Sequence, residues 1–417
     1  MKFVIFLGDG MSDRPMQALQ GGTPLMAAHT PNLDRMVRDG VGGWSRNTPE
    51  GFYPGSDIAN LGVLGYDVSQ SYTGRSPLEA AAMGVVLGES DVAFRCNMVT
   101  LSADYAVMED FSAGHISTAE AAELVEHLNN HLGSEQFVFY PGVGYRHLLV
   151  WKQGRNQVQC VAPHDIADQD IAGHLPQGPD GAPIAGLMQA SWPLLAEHPV
   201  NQERARRGER VANSIWLWGH GKKPELQLFR DRFSLSGGMI SAVDLMRGIA
   251  KHIGFEVIHV PGATGWIDTN YEGKAQACME GLRRHDLMFV HVESPDEAGH
   301  AGRLDYKIQA IEDFDRRLVG PVLTALESQG GFRAVALPDH PTPVASKTHN
   351  SDPVPFALYG TGIPADHNTA YDERLLQTGS LSFDPGTRMI RTLLGLDRSP
   401  GWPPLHPPEG GEGHMAP

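Results

Sequence analysis

The chain has 417 residues, of which 41% are apolar and 20% are charged, and its formal net charge is −16. This composition is typical of a globular protein, and at roughly 150 residues per domain the length suits two or three domains. The negative charge argues against nucleic acid and against an anionic membrane surface as partners. It does not exclude an anionic small substrate, because a metal ion or an arginine cluster can reverse the field locally.

Cysteine usage and the length of the apolar runs bear on the compartment. The spacing of Cys96, Cys160 and Cys278 suits neither a disulfide framework nor a zinc motif. The first apolar run, residues 3–7, is too short for a signal peptide, and no run approaches the about 20 residues of a membrane span. We therefore expect a soluble protein of the reducing cytoplasm.

The first 88 residues alternate strand-like and helix-like patterns. Residues 3–7 are a short apolar run of the kind that forms a buried strand. Thr30 followed by Pro31 predicts the start of a helix, because threonine caps helices and proline suits the first helical position. Further helix-like runs cover residues 58–64 and 77–83.

From about residue 89 the pattern changes, and strands group around a helix instead of alternating with helices. Strand-like runs cover residues 91–101, 136–140 and 145–151, and a helix-like run covers residues 117–132. This grouping predicts an α+β layer. Because alternation resumes near residue 240, we predict an α/β protein with a mostly parallel sheet, formed by residues 1–88 and 240–395. Residues 89–239 would be an inserted α+β domain, and the Pro/Gly-rich tail, residues 398–417, is expected to be disordered.

Three short apolar runs end beside residue types that bind metals. The runs cover residues 3–7, 287–292 and 334–337, and the acids and histidines that follow them are Asp9, Asp296, His300, Asp339, His340 and His349. Because the carboxyl ends of parallel strands meet at one edge of a sheet, we expect these side chains to converge. Singly they are weak signals, since an acid and a histidine four residues apart more often mark a solvated helix face. Jointly they suffice for two metal ions, and nitrogen and oxygen ligands favour Mn, Zn or Mg.

Ser56, which follows Gly55 at the start of a helix-like run, is the candidate nucleophile. A serine there is often no more than an N-cap. A helix N-terminus also favours a serine alkoxide and a bound phosphoryl group, and two metal ions about 4 Å apart suit displacement at phosphorus. The pattern therefore indicates phosphoryl transfer.

These residues and their neighbours resemble the motifs of the alkaline phosphatase superfamily. The motifs are Gly8-Asp9-Gly10, Gly55-Ser56-Asp57, Pro295-Asp296 with His300, Pro338-Asp339-His340 and Thr348-His349. More narrowly, the chain resembles the archaeal-type cofactor-independent phosphoglycerate mutases over about residues 1–395, with further matches at residues 32–35, 65–67, 74–75, 261–265 and 268–270. The family's inserted substrate-binding domain agrees with the interruption inferred above.

The resemblance implies two divalent metal ions (Mn, Mg, Zn or Co) and no 2,3-bisphosphoglycerate. One ion would be held by Asp296, His300 and His349, and the other by Asp9, Ser56, Asp339 and His340. Ser56 would take the phosphoryl group from 3-phosphoglycerate, and the 2-hydroxyl of the bound glycerate would then attack the phosphoserine. The implied partner is a small phosphorylated anion, and the oligomeric state is left open.

The carboxylate and phosphate of such a substrate need cationic partners, for which the bidentate fork of arginine is well suited. The candidates are Arg14, Arg75, Arg95, His115, Arg146, His147 and Lys274. For each of them an ordinary ion pair is the alternative. Arg204, Arg206, Arg207 and Arg210 are expected to lie on a solvated helix face.

Two other activities fit the same metal and serine core. Residues 108–117 and 214–219 look like a bacterial subgroup whose members have also been proposed as homoserine kinases. A phosphate-ester hydrolase would use the same ligands with water as the acceptor. A binding protein with a structural metal is a different class, and it would have no need of Ser56 beside the ions.

Overall fold

The structure, a computed structural model, describes residues 1–397. The tail for which disorder was predicted, residues 398–417, lies outside the described residues. The chain divides into two compact units. Among the described residues, the first unit contains residues 1–70, 227–246 and 253–397, and the second contains residues 71–226 and 247–252. The boundaries predicted from the sequence pattern were at residues 88/89 and 239/240.

The helix Ser76–Ala82 and the turn after it belong to the second unit because their apolar side chains are buried there. Ala80 and Leu87 form a small core with Ala93, Leu148 and Val150 from the strands of that unit. A helical pattern in a sequence shows which face of the helix is apolar, but it does not show which sheet that face covers.

In chain order the strands are β1 (Lys2–Gly8), β2 (Val41–Ser45), β3 (Val92–Leu101), β4 (Met108–Asp110), β5 (Phe137–Val143), β6 (Arg146–Trp151), β7 (Ser214–Lys222), β8 (Gly237–Ile240), β9 (Glu256–Val257), β10 (Leu287–Val292), β11 (Phe332–Leu337), β12 (Val354–Gly360) and β13 (Leu381–Phe383). The α-helices are α1 (Pro24–Ala27), α2 (Pro31–Arg38), α3 (Ser56–Val63), α4 (Val68–Ser71), α5 (Ser76–Ala82), α6 (Thr118–Leu132), α7 (Gly181–Ala196), α8 (Pro199–Arg206), α9 (Phe229–Phe233), α10 (Asp244–Ile253), α11 (Tyr271–Gly281), α12 (Ser294–His300), α13 (Leu304–Asp313), α14 (Gly320–Gln329), α15 (Leu375–Thr378) and α16 (Met389–Leu393). A π-helical segment, Phe314–Val319, joins α13 to α14.

Within residues 1–397, no helix combines the length and the apolar character that crossing a membrane requires.

The first unit is built on an eight-stranded sheet in the order β13-β2-β12-β11-β1-β10-β8-β9. The pairs along β11-β1-β10-β8-β9 are parallel, as is the pair of β13 with β2. Only β12 runs antiparallel to its two neighbours, β11 and β2. The prediction of an α/β fold with a mostly parallel sheet is therefore confirmed.

The three central strands of this sheet bring the predicted ligand segments to one edge. β10 and β11 are buried along their whole length, and β1 is buried after Lys2. Such strands are apolar throughout because helices cover both faces of a parallel sheet. The register places Leu7 beside both His291 and Leu337. The segments that follow the three strands consequently leave the sheet at the same level.

The second unit contains an antiparallel sheet with helices packed on it. Its strands are ordered β5-β6-β3-β7, and β4 pairs with the end of β3. α6 starts with a capping box, in which Ser117 and Glu120 bond each other's backbone N–H groups. Leu124 and Leu128 of α6 and Met188 of α7 are buried in its core. This is the α+β layer that the sequence predicts.

Lys307 of α13 ties together the loops that follow β1 and β11. Its Nζ donates to the carbonyl oxygens of Ser12 and Thr342, at 3.1 and 2.8 Å, and to Oδ2 of Asp13 at 2.9 Å. The Lys307 side chain is fully buried and that of Asp13 almost so. A buried ion pair of this kind depends on both partners, because a lone buried charge loses its hydration without compensation.

We expect Lys307→Met to lower the free energy of unfolding by about 3 kcal/mol, because Asp13 would be left buried and unpaired. Equilibrium urea unfolding followed by circular dichroism measures this change. Lys223→Met is the matched control; this lysine is exposed, and its loss should cost within about 0.5 kcal/mol. Equal unfolding midpoints for the two variants would show that the buried pair adds nothing to stability.

Candidate metal centre

Asp296, His300 and His349 form the first group of donors at the edge of the sheet. Nε2 of His300 lies 3.1 Å from Oδ2 of Asp296, and Nε2 of His349 lies 3.3 Å from Oδ1 of the same carboxylate. The two Nε2 atoms are 2.9 Å apart. Nδ1 of His300 donates to the carbonyl oxygen of Lys347, which leaves its Nε2 lone pair available for a metal. In the i,i+4 pair on α12, Asp296 is buried and His300 is partly exposed, and both side chains face His349.

Asp9, Asp339 and His340 form the second group, and Ser56 joins it. Nε2 of His340 lies 3.6 Å from Oδ1 of Asp9 and 3.4 Å from Oδ2 of Asp339. Oγ of Ser56 is 3.2 Å from the same nitrogen. The three side chains of the group are buried, and their donor atoms lie within 4.8 Å of one another.

The electrostatics of this edge fit a divalent cation. Burial, together with the charges of Asp339, Glu293 and Asp296, raises the pKa of Asp9 well above its ordinary value. Burial also opposes the charged form of Asp296, but hydrogen bonds with His300 and His349 outweigh it and lower that pKa. Oδ1 of Asp9 is buried without a hydrogen-bond partner among residues 1–397. A bound cation would supply the partner and the positive charge that the Asp9 side lacks.

Glycine and polar neighbours hold the ligand carboxylates in place. Asp339 accepts hydrogen bonds from the backbone N–H of Gly10 at 3.1 Å and from Nδ2 of Asn60 at 2.9 Å. The hydroxyl of Thr342 donates to Oδ1 of Asp296. Gly10 has a positive φ of 58°, and a Cβ there would lie 2.5 Å from Oδ1 of Asp296. Only glycine therefore suits this position.

Ser56 is the first residue of α3, and Gly55 is the N-cap. Its backbone carbonyl accepts a hydrogen bond from Asn60, one turn later. Because Gly55 has the capping role, the Ser56 hydroxyl is directed towards His340 instead of towards the helix backbone. The interpretation of Ser56 as a plain N-cap does not match the structure.

His291 and Glu293 lie at the same edge and were missed as site residues. Nε2 of His291 is 2.8 Å from Oδ2 of Asp9 and 3.5 Å from Oε2 of Glu293, so the three can also hold an ion. Nδ1 of His291 is within hydrogen-bond distance of the Ser241 hydroxyl oxygen, at 3.1 Å. The sequence signal that could have found them was their position: His291 lies near the end of β10 and Glu293 follows that strand, and Asp9 follows the neighbouring strand β1.

Two predicted substrate ligands of the first unit have other partners. Lys274 is buried, and its Nζ donates to the backbone carbonyl of His291 at 2.8 Å, so it supports the end of β10. Arg14 forms an ion pair with Asp352 at 2.8 Å, and its side chain is 64% exposed. Neither contact involves one of the six predicted acidic and histidine ligands.

Three of the predicted arginines cluster around one carboxylate in the second unit. Arg75 and Arg95 contact Glu79 at 3.0 and 3.1 Å. Burial opposes ionisation of Glu79, but Arg95, Arg75 and then Arg146 outweigh it and lower the pKa of this carboxyl. Arg95 stacks on Trp218 with its guanidinium carbon 4.4 Å from the ring centre, and burial lowers its pKa to about 10. Three guanidinium groups beside one carboxylate leave an excess of positive charge.

Aromatic and histidine side chains surround this arginine cluster. The guanidinium carbon of Arg146 lies 5.1 Å from the ring centre of Tyr145. The exposed His115 packs edge-on against the same ring, with the two ring centres 6.3 Å apart. His164 was not predicted as a site residue, and its ring centre lies 5.3 Å from that of Trp218. Nothing in the sequence pattern near His164 indicated this position, because the 3-10 helix that carries it, Pro163–Ile166, is too short to show a periodicity.

His147 does not face the arginine cluster. Adjacent residues of a strand point to opposite faces, so His147 faces away from Arg146, and its register partner across β3 is Cys96. Its side chain is buried, with Nδ1 accepting the N–H of Gly142 at 3.0 Å and Nε2 without a partner among the described residues. Burial lowers the pKa of His147 to about 4.

We expect His147 to make the protein sensitive to acid. Its pKa in the unfolded chain is about 6.5, so the unfolded state takes up the proton first. This contribution to stability is complete above about pH 6.5 and is lost as the pH falls towards 4. Urea unfolding at several pH values should show a smaller decline between pH 6.5 and 4 for His147→Gln than for the wild type. His29→Gln, at an exposed position, is the control and should decline as the wild type does.

Metal removal provides a direct check of the donor groups. Dialysis against EDTA should lower the thermal unfolding temperature, and Mn²⁺ should restore it, because a cation that binds only the native state stabilises that state. At a metal concentration about a thousandfold above Kd the gain is about 4 kcal/mol. Asp296→Asn should reduce the response to metal, whereas His29→Ala should leave it intact. The same unfolding temperature with and without EDTA would exclude a metal at this edge.

Comparison with known proteins identifies the family. Residues 38–201 match the family model described as 2,3-bisphosphoglycerate-independent phosphoglycerate mutase. A protein of Geobacter sulfurreducens named a probable 2,3-bisphosphoglycerate-independent phosphoglycerate mutase is 52% identical, with 94% of this chain and 100% of the relative covered. The mutase of that name from Methanothrix thermoacetophila is 49% identical over the same shares. The solved structure of the PH0037 protein from Pyrococcus horikoshii has a TM-score of 0.80 at 27% identity and covers 96% of this chain and 99% of its own. Because the two relatives match over nearly the whole of both chains, this chain belongs to the family of 2,3-bisphosphoglycerate-independent phosphoglycerate mutases.

Proposed function

We propose that this chain interconverts 3-phosphoglycerate and 2-phosphoglycerate through a phosphoserine at Ser56. The observation that carries the proposal is the position of the Ser56 hydroxyl, 3.2 Å from Nε2 of His340 at the end of a helix of eight residues. An N-cap serine would not need a metal-type ligand beside its hydroxyl. The names of the two relatives supply the substrate.

Two divalent cations are part of the proposal. Asp296, His300 and His349 would hold one, and Asp9, Asp339, His340 and Ser56 would hold the other. The donors are nitrogen and oxygen atoms without thiolate, a set that suits Mn, Mg, Zn or Co. When bound, the cations would favour the alkoxide of the serine and neutralise charge on the phosphoryl group in transfer. The proposed reaction uses no 2,3-bisphosphoglycerate.

Ser56 exchanges the phosphoryl group with the substrate in two steps. First, Oγ of Ser56 attacks phosphorus, the bond from phosphorus to O3 of 3-phosphoglycerate breaks, and O3 gains the proton that the serine loses. Then O2 of the glycerate attacks the phosphoserine, the bond from phosphorus to Oγ breaks, and the proton of the 2-hydroxyl returns to Ser56. The N-terminus of α3 favours the negative charge present in both steps.

The chain's own residues set the geometry of these steps. Asn60 bonds both the Ser56 carbonyl and the Asp339 carboxylate, so the nucleophile and a ligand share one support on α3. These two bonds fix the position of Ser56 relative to the second donor group. The proposed mechanism does not require an additional histidine as a general base. Positioning of this kind is the largest contribution a protein makes to phosphoryl transfer, together with charge stabilisation.

Recognition of the anionic groups is assigned to the second unit as part of the same proposal. Arg75, Arg95 and Arg146, with His115 beside them, provide the excess positive charge that a carboxylate and a phosphate require. Arg95 is held rigidly by its contact with Trp218, so little conformational entropy is lost when it binds an anion. Glu79 holds two of the guanidinium groups through ion pairs.

We expect Ser56→Ala to lower kcat for 3-phosphoglycerate at least about a thousandfold, because the variant lacks the hydroxyl that would carry the phosphoryl group. The measurement is formation of 2-phosphoglycerate by metal-loaded enzyme, with mass spectrometry of Ser56 for trapped phosphate. Ser69→Ala, an exposed serine outside the centre, is the control and should retain full activity. Metal content should stay close to that of the wild type in both variants.

The same assay separates the mutase from its alternatives. Formation of phosphohomoserine from homoserine and ATP, with no 2-phosphoglycerate from 3-phosphoglycerate, would contradict the proposal in favour of a kinase. Release of inorganic phosphate as the main product would favour a hydrolase. Full activity of Ser56→Ala would refute the covalent route.

A further inference from the structure

The loop between β4 and α6 contains a run of three residues in the left-handed region. Ala113, Gly114 and His115 have φ angles of 49°, 63° and 52°. Side chains with a Cβ rarely adopt this conformation, so Ala113 and His115 need contacts that offset its cost. Ser112 and Ala113 are buried, while the His115 side chain at the end of the run is exposed. The backbone of the loop is therefore held in place, and the His115 side chain projects from it to the surface.

Asp110 holds the loop from its own side. Its carboxylate accepts the N–H and the hydroxyl of Ser112, at 2.7 and 2.6 Å, and the N–H of Gly114 at 3.1 Å. The Ser112 hydroxyl oxygen in turn accepts the N–H of His115 at 3.2 Å. These bonds satisfy the N–H groups of Ser112, Gly114 and His115 but leave the carbonyl of Ala113 for another partner.

Arg204 of α8 supplies that partner. Its Nη2 donates to the carbonyl of Ala113 at 2.9 Å, its Nε to the carbonyl of Arg210 at 2.9 Å, and its Nη1 to the Glu120 carboxylate at 2.8 Å. The residue is 3% exposed. The expectation of a solvated helix face is thus wrong for Arg204, because its guanidinium turns inward to three acceptors. Glu120 is the capping-box acid of α6, so one side chain joins α8, the loop and the start of α6.

The loop ends at the arginine cluster of the same unit. Phe111 and His115 both approach the Tyr145 ring edge-on, at 6.1 and 6.3 Å, and Arg146 lies over that ring. We propose that Arg204 is a positioning residue for substrate binding, which holds the left-handed loop so that His115 stays at the edge of the Tyr145 ring over which Arg146 lies. The proposal rests on the proposed function, because it takes His115 as a ligand of the anionic substrate.

The fork of Arg204 is the feature to test. Arg204→Gln removes the charge and with it the ion pairs with Glu120 and Glu209, while Arg204→Lys keeps the charge but cannot reach acceptors in three directions. Arg206→Gln is the matched control on the same helix; its side chain is 71% exposed and its partner is Glu203. KM and kcat are measured with 3-phosphoglycerate, Kd for 3-phosphoglycerate is measured by calorimetry, and backbone hydrogen exchange is followed over residues 111–117.

We expect Arg204→Gln to raise KM and Kd about tenfold with a smaller change in kcat, Arg204→Lys to be intermediate, and Arg206→Gln to match the wild type. Exchange over residues 111–117 should accelerate in Arg204→Gln. In a His115→Ala background the effect of Arg204→Gln on Kd should fall below about twofold, because the histidine it positions is gone. A merely structural role would lower stability but would leave the effect of Arg204→Gln unchanged in that background.

The outcomes separate this proposal from the proposed function. Faster loop exchange with an unchanged Kd, or a Kd effect that persists in His115→Ala, overturns the positioning role and leaves the mutase assignment intact. If the wild type binds 3-phosphoglycerate without converting it, and Arg204 acts on Kd through His115, the positioning role stands and the mutase assignment fails. A wild type that neither binds nor converts 3-phosphoglycerate overturns both.

Discussion

The carboxyl edge of the parallel sheet carries Asp9, Asp296 and Asp339 as buried acids, with Glu293 mostly buried beside them. Like charges in a medium of low polarity repel strongly, so this edge requires compensation. His300 and His349 provide it for Asp296, whereas burial and neighbouring acids leave Asp9 with a raised pKa. The parallel register brings the acids to one level, and their charge makes the edge a place for cations. The serine, its helix and the supporting loops are arranged around that requirement.

The strand ends of this centre were predictable from the sequence because parallel topology converts order along the chain into proximity in space. Short apolar runs followed by Asp9 and Asp339 sufficed to predict neighbouring ligands. His291 and Glu293 were not predicted, although they follow the same rule. His291 lies within an apolar run, where a histidine is easily taken as a core residue. Its role becomes visible only when the register places it beside β1, next to Asp9.

The second unit was less predictable because its chemistry depends on side-chain direction. Arg146 and His147 are neighbours in sequence, but they lie on opposite faces of β6, and only Arg146 joins the arginine cluster. Arg204 and Arg206 are two residues apart on one short helix, yet the first is buried and the second exposed. A sequence shows that these residues are cationic, but the partner of each is chosen by packing. Charge and motif therefore predict a centre built at strand ends better than one built from loops and sheet faces.

Phosphoryl transfer and substrate binding place different requirements on the protein, and the proposed function assigns them to different units. Phosphoryl transfer needs a few donors at fixed distances, and these come from buried strand ends and from α3, where the backbone has little freedom. Under the proposed function, binding of the anionic substrate needs an excess of positive charge in a protein of net charge −16, and three arginines around Glu79 would supply it. Mutase, kinase and hydrolase chemistry would all use the donors of the first unit. What distinguishes them is which acceptor is held and whether water is kept away. Under the proposed function, the reaction would be decided by the residues that position cationic and aromatic groups in the second unit, including residues such as Arg204 that need not contact the substrate.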